Sequence, residues 1–144
     1  MKTLIFFLFS LAVTDKFSPD RLFVGSTPCF DEMKDQLNIP AADGCEFMKW
    51  RLILTAGNKW SADVNYGISQ PNTNGFKQGG VVKKLSSQYF FDQETKVYKL
   101  ASNELKNPVF LKSMTASVVH FCDEKNQLLV GNDGYGYALN LKKD

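Results

Sequence analysis

The chain has 144 residues, of which 44% are hydrophobic, 22% charged and 13% aromatic, with a formal net charge of +2. That length and apolar content support one globular domain around a single core, and they exclude a disordered chain or two ordinary domains. The basic residues are scattered and almost balanced by acidic ones, so there is no basic field for nucleic acid and no nucleic-acid partner is expected.

The chain opens with Lys2, then Leu4-Ile5-Phe6-Phe7-Leu8-Phe9, then Ser10-Leu11-Ala12. A positive charge, an apolar stretch and small residues before a cut are the order of a secretory signal peptide. The apolar stretch is about half of the ~20 residues a bilayer-spanning helix needs. Residues 1–12 are therefore expected to be a cleaved signal and residues 13–144 a single exported domain, periplasmic or secreted, with no stable membrane anchor after cleavage. Export makes disulfides permissible, and Cys29 and Cys45 are placed to close a loop whose crosslink is worth about 3 kcal/mol. Cys122 is then most simply a buried free thiol, with pairing to either of the other cysteines as the alternative.

Residues 14–21 are a polar lead-in around Ser18-Pro19-Asp20, and 22–28 form an expected first strand ending at Pro28. Phe30, Met33 and Leu37 recur at helical spacing, with Asp31 and Glu32 where a helix N-terminus favours negative charge, so one short helix is expected before Pro40. From Cys45 the period changes to two. Met48, Trp50, Leu52 and Leu54 share one face, and after a turn at Gly57-Asn58 so do Trp60, Ala62, Val64, Tyr66 and Ile68, which predicts a long hairpin. A turn-rich loop at 70–80 follows, carrying Pro71, Asn74 and Phe76, whose ring is expected to be exposed. Short strands are expected at 81–86, 88–92, 96–100, 109–114 and 117–122. At the end, apolar runs flank Asn132-Asp133-Gly134, with Tyr135, Tyr137, Leu139 and Leu141 at period two; this predicts a closing hairpin packed against the Trp50 and Trp60 strands. The fold class expected is all-β: a single antiparallel meandering barrel of roughly eight to ten strands with one short N-terminal helix.

Four stretches carry a family resemblance: Phe23-Val24-Gly25-Ser26-Thr27-Pro28, Phe47-Met48-Lys49-Trp50-Arg51-Leu52, Gln70-Pro71-Asn72-Thr73-Asn74-Gly75-Phe76, and the ending from Leu128 to Asn140. Together they resemble uncharacterised exported bacterial lipocalin-like, calycin-type barrels, and more distantly the N-terminal barrel domain of copper-homeostasis and envelope-stress lipoproteins. The resemblance implies a barrel over residues 22–141. It does not carry a copper role, because Cys29 is followed by Phe30-Asp31-Glu32 where the lipoprotein domain has a second thiol. The first strand, with Ser26-Thr27 after Gly25, also lacks the Gly-x-Trp of lipocalins proper.

No catalytic constellation stands out, and the chain is expected to be no enzyme and to need no cofactor or metal. His120, the sole histidine, and Cys122 are two apart on a strand and share a face, but no third ligand lies at a metal-site spacing. The acidic pairs fall on the helix or in turns, where local preferences explain them. The rings have two readings, as filling or as the wall of a cavity for one small ligand. On the second reading the ligand-binding residues are Trp50, Trp60, Tyr66, Tyr135 and Tyr137, with Tyr66 and Tyr137 orienting the molecule. The function expected is binding of a small apolar or amphipathic ligand. The alternatives are an interaction or inhibitor module using the rim loop, with an unspecified protein partner, and a metal or envelope-stress sensor, which requires His120 and Cys122 to be accessible together.

Overall fold

The computed structural model describes residues 19–143; the expected signal peptide lies outside them. Eight strands form a closed barrel in which each strand is antiparallel to the next: β1 (Arg21–Pro28), β2 (Phe47–Leu54), β3 (Lys59–Gly67), β4 (Val81–Asp92), β5 (Val97–Leu100), β6 (Val109–Thr115), β7 (Val118–Cys122) and β8 (Ala138–Leu141). One helix, α1 (Asp31–Gln36), lies between β1 and β2. The all-β meandering barrel is therefore as expected.

Alternation builds the wall. In β2 and β3 the buried positions Met48, Trp50, Leu52, Leu54, Trp60, Ala62, Val64 and Tyr66 all face inward, and the two strands keep register from Phe47↔Gly67 to Leu54↔Trp60. A one-residue slip would turn every one of these side chains to solvent, so the pairing is strongly specified. Asn58, at φ 56°, supplies the left-handed residue of the turn between them.

Two stretches depart from expectation. Residues 81–86 and 88–92 are one strand, because β3 pairs with β4 up to Lys59↔Gln88 and β5 takes over at Tyr89↔Leu100 without a break in the backbone. The closing hairpin is absent. Leu128 bridges Cys122 and the Leu129 N–H donates to Phe121 O, while the Phe121 N–H donates to Tyr137 O and β8 continues along β7 from His120↔Ala138 to Val118↔Asn140. The two apolar runs are thus successive parts of one interrupted strand on β7, and residues 130–136 loop out between them. The neck of that excursion needs a glycine: a Cβ on Gly131 would lie 2.0 Å from Tyr135 O. The Asn132 side chain accepts the N–H groups of Gly134 and Tyr135, which confirms the turn chemistry while changing what the turn connects. β8 closes the barrel on β1 through Phe23↔Leu141 and Val24↔Asn140, not on the Trp50 and Trp60 strands.

The helix caps one end. Met33, Leu37 and Ile39 enter the same core as Phe23, Trp50 and Phe121. The Cys29–Cys45 disulfide, with Cα atoms 5.8 Å apart, ties off this excursion, and Cys122 is a free buried thiol. An oxidised pair suits an oxidising, exported setting. Among the described residues no helix is long and apolar enough to cross a membrane.

Candidate functional site

The aromatic residues chosen from the sequence mostly fill the barrel. Trp50, Trp60, Tyr66 and Tyr137 are each at most 4% exposed, and the rings interlock, Trp50 on Phe121 at 4.9 Å and Phe121 on Tyr137 at 6.0 Å. Side chains this buried leave no room for water between them, so the filling reading describes the interior better than a ligand-sized void.

Their polar groups are also mostly engaged. The Trp50 indole N–H donates to Thr27 Oγ1 at 2.9 Å. Trp60 Nε1 lies 3.2 Å from both Gln88 O and Ala101 O, filling the fork where β4 and β5 part. The Tyr66 hydroxyl donates to Asp43 Oδ2 at 2.7 Å; burial, then that bond, pushes its pKa up to about 12. Tyr66 is therefore held by the protein and is not free to orient a ligand. Tyr135 lies outside the barrel wall, stacked on Phe47 at 4.8 Å.

The rim loop is corrected at one residue. Phe76 is 4% exposed and packs on Phe47 at 4.4 Å; its backbone bridges Ser69, which folds the loop back on itself. Pro71 and Asn74 are exposed, and Asn74 O accepts the Lys49 ammonium. The loop therefore presents polar groups without an apolar anchor.

His120 and Cys122 lie on the outward phase of β7, but they are not accessible together. Cys122 is 5% exposed, and burial pushes its thiol pKa up, away from the reactive thiolate. His120 Nδ1 lies 2.8 Å from Phe121 O. Among the described residues no three His, Cys, Asp or Glu side chains are grouped to hold a metal.

An apolar recess does occur at the helix-capped end. It has a volume of about 340 Å³ and lies between α1 and the 130–136 excursion, lined by Phe30, Met33, Cys122, Leu129, Val130 and Tyr137 together with the polar Glu32, Gln36 and Asp123. Two of its apolar lining residues stand exposed, Phe30 at 40% and Val130 at 84%. At its floor the Tyr137 ring meets Phe30 at 5.9 Å. Burial, followed by the nearby Glu32 charge, pushes the Tyr137 pKa up to about 12, and its hydroxyl has no hydrogen-bond partner among the described residues. The recess thus offers a mainly apolar wall, with the Tyr137 hydroxyl at its floor and the Glu32 and Asp123 carboxylates beside it. Of the five ring residues named from the sequence, Tyr137 alone belongs to it. Its other walls were missed because Leu129 and Val130 read as part of a strand, and only the looping-out of residues 130–136 turns them toward α1.

Fold and recess define a class: a closed eight-stranded meander barrel with a solid interior and an apolar recess at its capped end. No protein-family model, curated protein or solved structure matches the chain.

Proposed function

We propose that this is an exported, non-enzymatic, lipocalin-like barrel that holds a small apolar or amphipathic ligand, with the site in the recess between α1 and the 130–136 excursion. The observation that carries this reading is the coincidence of an apolar recess, an exposed apolar rim and the free Tyr137 hydroxyl. Its volume sits at the low end of the roughly 300–1,000 Å³ typical of small-molecule sites. Exposed apolar side chains grouped around a concavity are more informative than the same residues scattered singly. The amphipathic form of the ligand follows from the site: its apolar body lies on Phe30, Met33 and Leu129, and its polar part meets the Tyr137 hydroxyl and the neighbouring Glu32 and Asp123 side chains.

The test is titration of the folded protein with a hydrophobic fluorescent dye, alongside native mass spectrometry of protein taken from producing cells. Leu129→Trp, which fills the recess, is expected to abolish dye binding while the melting temperature holds. If the dye binds Leu129→Trp as it binds the parent, the recess is not the site. The rim-loop reading draws less support because Phe76 is buried, and the sensor reading because Cys122 is covered.

A further inference from the structure

The opposite end of the barrel carries an arginine with no carboxylate partner among the described residues. Arg21 opens β1 at the end remote from α1, which follows Pro28. It pairs with Leu54 and shares the inward phase of Phe23. Its guanidinium stands 5.7 Å from the Phe23 ring centroid and 5.6 Å from that of Tyr98. Arg21 Nη2 donates to the Tyr98 hydroxyl at 2.7 Å, and no carboxylate pairs with Arg21 among the described residues. A partly buried cation normally takes a carboxylate partner, because loss of hydration is otherwise uncompensated. Here ring faces and neutral hydroxyls take that place, the Tyr98 hydroxyl as a direct hydrogen-bond acceptor and the Tyr89 hydroxyl close by, so the guanidinium keeps donors without an anionic partner among the described residues.

Those donors face a recess of about 400 Å³ at the barrel mouth, whose walls include Asn58, Tyr89, Phe91, Gln93 and Tyr98 and no acidic side chain. The nearby Asp92 carboxylate is occupied, accepting the N–H groups of Glu94 and Thr95 in the turn. The rings form a connected wall, Phe91 to Tyr98 at 4.4 Å and Tyr89 to Tyr98 at 5.4 Å, and Phe90 is 67% exposed beside it. A planar fork of donors suits an oxyanion bidentately, and the aromatic wall suits a flat apolar body.

We propose that the mouth around Arg21 is a binding site for a small organic oxyanion, a carboxylate or phosphate monoester carried on a flat aromatic body. The Arg21 fork grips the anion, the Tyr98 hydroxyl proton supplies a further donor, and the Tyr89, Phe91 and Tyr98 rings hold the body. The site lies at the other end from the apolar recess and does not depend on it.

The experiment titrates the folded, isotope-labelled protein with benzoate, phenyl phosphate and, as the neutral counterpart, benzyl alcohol, following the Arg21 Nε–H resonance by NMR and the melting temperature. A saturable shift of that resonance with at least one anion and none with benzyl alcohol is expected, and the relative affinities of the two anions distinguish carboxylate from phosphate recognition. Arg21→Gln should weaken binding about tenfold or more, and Arg21→Lys, which keeps the charge without the fork, by an intermediate factor. No saturable shift with either anion overturns the proposal, as does unchanged affinity in folded Arg21→Gln. Should Arg21→Gln fail to fold, the parent resonance and Arg21→Lys decide. A purely structural Arg21 would lower the melting temperature when replaced, with no anion response in the parent.

Discussion

Thr27 is the one fully buried polar side chain among the described residues, and its hydroxyl accepts the Trp50 indole N–H. The bond lets a large ring with a polar edge lie in the barrel interior without an unmet donor. Thr27→Val keeps the shape and removes the acceptor. We expect it to cost about 1–3 kcal/mol, the usual penalty for stranding a buried donor, seen as a lower denaturant midpoint. An unchanged midpoint would mean that the indole finds another partner. Gly25, two residues earlier, is required for a different reason: a Cβ there would lie 2.7 Å from Ala138 O, across the seam where β1 meets the last strand. Neither role is visible in the sequence, where Gly25-Ser26-Thr27 reads only as part of a strand, because both depend on residues 23 or more positions away.

Among the elements, β4 stands out because residues 81–88, two-thirds of it, have a free edge. The Tyr89 N–H donates to Asn58 O, and the register runs unbroken from Gln88 to Val81. Antiparallel alternation then turns the N–H and C=O groups of Val82, Lys84 and Ser86 away from β3. β5 pairs only with residues 89–92, so these groups face outward beside Val81 and Val82, which are 51% and 52% exposed. An exposed apolar edge is a template for pairing with another chain, and lysines are a common defence. Lys83 and Lys84 fill that role, Lys84 with a surface pair to Asp63 at 3.2 Å. The double variant Lys83→Val, Lys84→Val is expected to self-associate in sedimentation at concentrations where the parent stays monomeric. If both proteins sediment alike, the lysines are not what keeps this edge unpaired. At this scale β2 and β3 were legible up to Gly67, since strict alternation over eight residues admits one register, but Ile68, expected on the same face, lies beyond the end of β3. The C-terminal segment was not, because β7 offers its edge to both apolar runs and so outcompetes their pairing with each other.

Across the whole molecule, the two ends of the barrel differ in chemistry, and the capped end governs its response to alkali. Tyr66 and Tyr137 both belong to that end and both ionise near pH 12 in the folded protein, against about 10 in an unfolded chain. Folding thus favours the neutral phenols: their contribution to stability is complete below pH 10 and is lost as the pH rises toward 12. The denaturant midpoint should fall across that interval, with at least two of the five tyrosines giving a late tyrosinate absorbance. Full titration of all five near pH 10 in still-folded protein would contradict the packing described for these rings. What the sequence by itself determined was the all-β barrel class, the inward faces of β2 and β3, the capping helix and a loop that Cys29 and Cys45 could close, because alternation, helical spacing and loop length are properties of neighbours along the chain. Only the tertiary structure decided that the interior is filled, that Phe76 turns inward, that residues 130–136 open a recess against α1, and that Arg21 at the other mouth has no carboxylate partner among the described residues. Those outcomes depend on which distant backbone edges and side chains compete for the same partner, and nothing local to a residue records the result.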